Sequence, residues 1–95
     1  MNVIHKYQIP VKEKFELEMP QLSQIIRVED VDGQCYLWAL VDTEKPKETR
    51  FFECYKTGQE IQTPITHFFF LGTCKLFIGQ ELCLYVFENG IKRGQ

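Results

Sequence analysis

Aromatic and basic side chains occur together near the ends of the apolar segments of this sequence. Tyr and His rings can stack on nucleobases, whereas Arg and Lys can bind phosphates. Arg50 stands out because it begins an otherwise apolar segment, where a planar guanidinium suits a carboxylate or a phosphate. Each of these residues could instead be an ordinary amphipathic surface residue. The predicted ligand-binding residues are Lys6, Tyr7, Arg50, Tyr55, Lys56 and His67.

Sequence motifs for catalysis are lacking. There is no Gly-rich phosphate loop and no nucleophile elbow, and His5 and His67 are far apart in the sequence. Cys54 or Cys74 could pair with a histidine, but the surrounding aromatic residues would raise the pKa of either thiol and keep it inert. We therefore expect no enzymatic activity, no metal and no cofactor. Five glutamates are predicted to lie mostly on solvent-exposed faces, namely Glu16, Glu18, Glu29, Glu53 and Glu88.

Composition and charge restrict the class of protein. The chain has 95 residues, of which 44% are hydrophobic, and a net charge of −2 that argues against general binding to nucleic acid backbones. No segment has the length of a membrane span, and the N-terminus lacks the apolar core of a signal peptide, so we expect a cytoplasmic protein. The four cysteines, at positions 35, 54, 74 and 83, have no metal-binding spacing. In a reducing compartment they are predicted to be buried free thiols rather than a metal site or disulfides.

Alternation of apolar and polar residues predicts β-strands over most of the chain. Asp32-Gly33 is typical of a tight hairpin turn, and Gly72 interrupts a strand in the way a bulge does. A helix over residues 21–27 is the competing interpretation of one segment. The predicted fold is all-β, a small antiparallel barrel or sandwich of about seven strands joined by hairpins, in one domain with a frayed tail at 89–95. The predicted strands are 2–9, 14–19, 23–31, 35–42, 49–56, 67–78 and 81–88.

Several predicted strands are apolar on both faces, including the one that contains Trp38. An antiparallel sheet in a small domain normally keeps one face in water, so the second face must be covered. Curvature and loops of the same chain could cover it, or a second copy could. We favour a homo-oligomer, which would also create ligand clefts between subunits. The predicted interface residues are Phe68, Phe69, Phe70, Leu84 and Tyr85.

Short motifs distributed over residues 4–88 carry a family resemblance. They include Leu37-Trp38-Ala39-Leu40-Val41-Asp42, Thr57-Gly58, Leu71-Gly72-Thr73 and Val86-Phe87-Glu88. On these motifs the sequence resembles a family of small uncharacterised proteins common in bacteriophages and prophages. Members often carry a His two residues before the terminal Phe-Glu pair, whereas Tyr85 occupies that place here, so no role transfers to it. The resemblance implies a phage origin, action inside the infected bacterium, and a function based on binding.

Two functions are expected from these observations. The first is an oligomeric counter-defence protein that sequesters a nucleotide-derived immune signal in a cleft. The second is a protein–protein inhibitor of a host defence nuclease or effector, which would use the acidic segment with Glu13, Glu16 and Glu18 as a decoy. A phage structural or accessory role is a third possibility that no particular residue favours.

Overall fold

The computed structural model describes residues 1–90, and about two-thirds of these residues lie in β-strands. A 3₁₀ turn is present at Ile65–His67. The strands are β1 (Asn2–Gln8), β2 (Lys14–Pro20), β3 (Gln24–Val31), β4 (Gln34–Asp42), β5 (Lys47–Lys56), β6 (Phe68–Phe77) and β7 (Glu81–Asn89).

The strands form two antiparallel sheets, here called the first and the second sheet. The first sheet has three strands in the order β1-β4-β3, and the second has four in the order β2-β5-β7-β6. The predicted all-β antiparallel fold with seven strands is confirmed. The two sheets do not close into a barrel, so of the two predicted architectures the sandwich fits. The helix considered for residues 21–27 is wrong, because β3 begins at Gln24.

Local sequence signals account for the turns. Asp32 and Gly33 both have positive φ, at 51° and 82°, as the tight turn between β3 and β4 requires. In β6 the pairing with β7 shifts register between Phe70 and Gly72, which confirms the predicted glycine bulge.

The core lies between the sheets and follows the alternation of the strands. In β2 the side chains of Phe15 and Met19 are buried while Glu16 and Glu18 are exposed. Full burial of an apolar side chain of this size stabilises a fold by about 1.5–3 kcal/mol. The largest fully buried side chains are Phe52, Met19, Leu37, Val41, Val86 and Cys74.

The two sheets come closest where β3 crosses β6, each at the edge of its own sheet. A Cβ atom on Gly72 would lie 3.0 Å from the Cβ of Val28, so glycine permits this approach. The backbone nitrogen of Lys75 donates a hydrogen bond of 3.0 Å to a carboxylate oxygen of Asp30. These contacts fix the position of one sheet on the other.

A disulfide between Cys35 on β4 and Cys74 on β6 links the two sheets. The prediction of four buried free thiols is therefore wrong for this pair. It holds for Cys54, which is free and buried, whereas Cys83 is free but only half-buried. The two partners are 39 residues apart in the sequence, and only the packing of the sheets brings them together.

The last described residues belong to the fold rather than to a tail. Asn89 is the final residue of β7 and only 4% exposed, so the predicted frayed tail begins too early. The rest of that tail, from position 91 onward, lies outside the described residues. Within residues 1–90 no helix has the length and apolar character needed to cross a membrane.

Candidate functional site

Arg50, the foremost predicted ligand-binding residue, lies in the interior. Alternation along β5 turns its side chain toward the first sheet, on the same face as Phe52. Its Nε and Nη2 atoms donate to the two carboxylate oxygens of Glu88 at 2.6 and 2.8 Å, and Nη1 donates to the carbonyl oxygen of Ser23 at 2.7 Å. The guanidinium fork does bind a carboxylate, as its chemistry suggested, but that carboxylate belongs to the same chain.

A second buried carboxylate, that of Glu53, lies on the opposite face of β5. It accepts hydrogen bonds from the Tyr55 hydroxyl, from Thr63 Oγ1 at 2.9 Å and from Asn89 Nδ2 at 2.9 Å. Burial alone would raise the pKa of Glu53, but the three donors outweigh it and hold that pKa below its ordinary value. Glu53 and Glu88 are thus buried, which corrects the prediction that they face solvent, whereas Glu16, Glu18 and Glu29 are exposed.

The structure does not bring the predicted ligand-binding residues together. Lys6 and Tyr7 are neighbours on β1 and therefore point to opposite faces of the first sheet, with Tyr7 on the inner face. Burial raises the pKa of Tyr7, and the nearby Arg50 lowers it, with a net increase. Lys56 is exposed at the far end of β5, about 20 Å along the strand from Arg50.

The other two predicted residues are placed elsewhere again. Tyr55 is buried on the outer face of the second sheet, and its ring centroid lies 6.2 Å from that of Phe68. Burial and the hydrogen bond to Glu53 raise the pKa of Tyr55 well above its ordinary value. His67 ends the 3₁₀ turn and is half-buried. Of the six predicted residues, only Lys6 belongs to the most distinctive surface of the protein.

That surface is the outer face of the first sheet, here called the cationic aromatic face and defined by Lys6, Arg27, Tyr36 and Trp38. Register places Lys6 of β1 and Arg27 of β3 on either side of Trp38 of β4. The Arg27 guanidinium carbon lies 4.3 Å from the centroid of the Trp38 ring. The Lys6 ammonium lies 4.1 Å from the Tyr36 centroid and 5.8 Å from that of Trp38.

Two local features of the sequence create this row. Strict alternation along β4 buries Cys35, Leu37 and Ala39 and turns Tyr36 and Trp38 outward. A register shift between Ile25 and Arg27 then brings Arg27, rather than Ile26, opposite Trp38. Without this bulge the tryptophan would have an apolar partner on β3 and a cation on one side only.

Long side chains of the cationic aromatic face cover part of the outer apolar surface of β4. Lys and Arg stems can cover apolar surface while their charged ends remain in water, and here they flank the outer ring of Trp38. The apolar border next to Trp38 remains exposed, with Ile4 at 58%, Ile26 at 47% and Leu40 at 41%. A cationic centre beside an apolar border is therefore open to a ligand.

The charges of the face leave a net positive centre. Arg27 is paired with Glu29 in a contact in which both side chains are about half exposed. Lys6 forms no salt bridge with any residue in the described part of the chain. Its ammonium is held over aromatic rings and remains accessible to an anion.

Trp38 is not among the residues that the sequence predicted to bind a ligand. The signal available was the spacing of Tyr36 and Trp38, which share one face of an alternating strand. Lys6 is among the predicted ligand-binding residues, but the sequence could not show that Lys6 and Arg27 flank Trp38, because they come from β1 and β3 through strand order and register.

Two other concave regions lie on the second sheet. One, of about 480 Å³, is lined by Lys12, Lys14, Phe51 and Glu53 among others. The other, of about 210 Å³, is lined by Lys56, Leu82 and Leu84 beside the buried thiol of Cys54. Burial raises the pKa of that thiol to about 12, so it is not a nucleophile at neutral pH. Residues 1–90 contain no group of side chains arranged to hold a metal ion.

The predicted interface residues fall into two groups. Phe69 and Phe70, at the start of the edge strand β6, are each 60% exposed. Leu84 is part of the buried core, and Phe68 and Tyr85 are half-buried. Phe68 stacks on Phe87 with a centroid distance of 4.8 Å. The aromatic surface available to a second copy is therefore smaller than the sequence predicted.

The fold and its surface define a small two-sheet β-domain with a cationic aromatic face. Residues 1–94 match the family described as a domain of unknown function, DUF7352, and the chain belongs to that family. No curated protein and no solved structure matches the chain. The match confirms that the chain belongs to an uncharacterised family, whereas the phage origin and the motifs of the resemblance stay predictions.

Proposed function

We propose that this protein is a non-enzymatic binding protein whose cationic aromatic face holds a nucleotide-like ligand. The observation that carries the proposal is the placement of Trp38 between the cations of Lys6 and Arg27. A nucleobase gains about 1–3 kcal/mol by stacking on an aromatic ring, and cations beside the ring can bind its phosphate. The unpaired ammonium of Lys6 is the strongest candidate for that phosphate contact.

The biological role that we propose follows the family resemblance. A nucleotide-binding protein of a phage could sequester a nucleotide-derived immune signal and so protect the phage from host defence. The site for this function moves from Arg50 and Lys56, the residues first expected, to Trp38 and its flanking cations. The burial of Arg50 in its pair with Glu88 favours this reassignment.

The test is a thermal unfolding assay against mononucleotides, cyclic dinucleotides and ADP-ribose derivatives. A ligand at about 100 times its dissociation constant stabilises the native state by about 2.7 kcal/mol, which raises the Tm of a domain this size by several degrees. We expect Trp38→Leu to remove the shift and Lys6→Ala or Arg27→Ala to reduce it. Phe77→Ala and Lys75→Ala, which change an exposed ring and an exposed cation on the second sheet, serve as matched controls. A flat response to the whole panel contradicts the proposal.

A homo-oligomer is the second part of the proposal. It is supported by the exposed rings of Phe69 and Phe70 on an edge strand, where a second copy would remove apolar surface from water. Light scattering coupled to size-exclusion chromatography measures the mass in solution. We expect an oligomer that Phe70→Glu converts to a monomer. If the wild-type protein is a monomer at micromolar concentration, the homo-oligomer is contradicted and the nucleotide-binding proposal is unaffected.

A protein–protein inhibitor is the alternative function, favoured by the acidic side of β2. Glu16 and Glu18 are both exposed on this edge strand, which is a common place for a partner to bind. Charge reversal, Glu16→Lys with Glu18→Lys, should abolish capture of a host protein by the immobilised domain. Capture that is unchanged by the reversal contradicts the acidic-decoy form of this function.

A further inference from the structure

A second outward ring lies next to Trp38 along the same strand. Tyr36 and Trp38 have centroids 6.2 Å apart, and their planes are inclined by 53°. One ring provides a stacking platform for one base, so two adjacent rings provide two platforms. The inference developed from this pair rests on the proposed function, because it concerns the ligand of the same face.

The spacing of the two rings corresponds to bases that are not stacked on one another. Successive stacked bases are about 3.4 Å apart along a strand, whereas the two ring centroids are separated by 6.2 Å. Proteins that recognise single strands commonly separate neighbouring bases and stack each one on its own aromatic side chain. The pair Tyr36 and Trp38 has the spacing for this mode of binding.

The Lys6 ammonium lies within cation–π distance of both rings, closer to Tyr36 than to Trp38. A phosphate that joins two nucleosides would lie between their bases. With one base on each ring, that phosphate would therefore be next to Lys6, which forms no salt bridge within residues 1–90. Arg27 is on the far side of Trp38, where its guanidinium can extend the stack, and its pairing with Glu29 leaves Lys6 as the cation available to a phosphate.

Polar groups suited to a base edge lie at the Tyr36 end of the face. Gln8 Nε2 and the Tyr36 hydroxyl both donate to Gln34 Oε1, at 2.9 and 3.1 Å. These contacts orient the two exposed carboxamides, whose donor and acceptor pattern matches the edge of an adenine.

We propose that the cationic aromatic face binds two nucleobases joined by a phosphodiester, one base on Tyr36 and one on Trp38, with the linking phosphate at Lys6. The ligand chemistry is shared by a free dinucleotide, linear or cyclic, and by a segment of single-stranded nucleic acid. A mononucleotide would occupy one ring only. The proposal therefore concerns the number of bases that the face recognises.

The experiment compares dissociation constants of adenosine monophosphate, the dinucleoside phosphate ApA, cyclic di-adenosine monophosphate and a ten-residue oligodeoxyadenylate. A second stacked base should improve affinity by about 5- to 150-fold over the mononucleotide. Tyr36→Ala should remove this advantage and leave mononucleotide affinity within twofold, while Trp38→Leu should weaken every ligand. Tyr36→Phe keeps the ring and should keep the advantage, and Phe77→Ala is the control on the other sheet. Thermal unfolding without ligand verifies that each variant is folded.

The outcomes separate this inference from the proposed function. If the mononucleotide binds as tightly as ApA and the cyclic dinucleotide, or if Tyr36→Ala weakens all ligands equally, the two-base inference is overturned and nucleotide binding stands. If none of the four ligands binds, the two-base inference fails, and the proposed function fails with it when the wider nucleotide panel also gives a flat response. If the decamer binds more tightly than ApA, single strands are identified as the source. If ApA or the cyclic dinucleotide binds more tightly than the decamer, a free dinucleotide is identified. Each of these two results supports the proposal.

Discussion

Arg50 and Glu88 form a bidentate salt bridge in the interior between the sheets, with N–O distances of 2.6 and 2.8 Å. The two residues are 38 positions apart in the sequence. Both side chains are almost fully removed from water. The third donor of the guanidinium reaches the Ser23 carbonyl oxygen, so the pair joins β5, β7 and the turn before β3. A buried pair of this kind costs desolvation free energy, which good geometry and additional hydrogen bonds must offset.

Removal of one partner of this pair should destabilise the fold strongly. Arg50→Met leaves the Glu88 carboxylate buried without its guanidinium, and we expect a loss of about 3–5 kcal/mol in the free energy of unfolding. The double variant Arg50→Met with Glu88→Leu should be much closer to wild type, because no charge remains buried. Urea unfolding of Arg50→Met, of Glu88→Leu and of the double variant measures the difference. If the double variant is as unstable as the sum of the single ones, the two charges are not coupled as the structure indicates.

The Cys35–Cys74 disulfide should contribute substantially to stability. It closes a loop of 39 residues, for which the loss of chain entropy in the unfolded state corresponds to about 4 kcal/mol. Reduction, or the double variant Cys35→Ala with Cys74→Ala, should lower the free energy of unfolding by up to that amount. Urea unfolding with and without reductant measures the change, and reductant should have no effect on the double variant. Alkylation of the unfolded, unreduced protein at all four cysteines would show that the bond is absent.

The stability contribution of Glu53 should depend on pH. The pKa of Glu53 is lowered in the folded state, so its contribution is fully present above its ordinary value of 4.5 and is lost as the pH falls through the folded-state pKa. Glu53→Gln should cost about 1.5–3 kcal/mol at pH 7, where hydrogen bonds to a charged acceptor are lost. The difference in free energy of unfolding between Glu53→Gln and the wild type should become smaller below pH 4.5.

Urea unfolding between pH 7 and pH 3 measures this dependence. Glu16→Gln, on the exposed face of the neighbouring strand, is the control and should have little effect at any pH. If Glu53→Gln lowers the free energy of unfolding by the same amount at every pH in this range, the three donors do not stabilise the ionised carboxylate in particular.

The close approach of β3 to β6 should make position 72 intolerant of any side chain. Gly72→Ala places a Cβ 3.0 Å from the Cβ of Val28, and we expect a loss of about 1–3 kcal/mol from overpacking in addition to backbone strain. Gly58→Ala is the matched control, because Gly58 also has positive φ but its added Cβ would meet open space. Thermal unfolding of both variants isolates the contact with Val28. Equal losses in the two variants would show that only the backbone conformation matters.

The sequence alone was sufficient for the strands and several of the turns. Alternation predicted a strand over 14–19, where β2 buries Phe15 and Met19, and Asp32-Gly33 predicted the hairpin between β3 and β4. These features are predictable because the pleat reverses successive side chains and a tight turn needs particular φ values. Both are properties of a few consecutive residues.

Only the tertiary structure decided which distant residues meet. The pairing of Arg50 with Glu88, the disulfide and the burial of Glu53 depend on strand order and on which way a strand faces once it is packed. For the same reason the position of Trp38 between two cations could not be predicted, because those cations come from two other strands. Strand order and register are set by packing summed over whole sheets, and no short segment of the sequence contains that information.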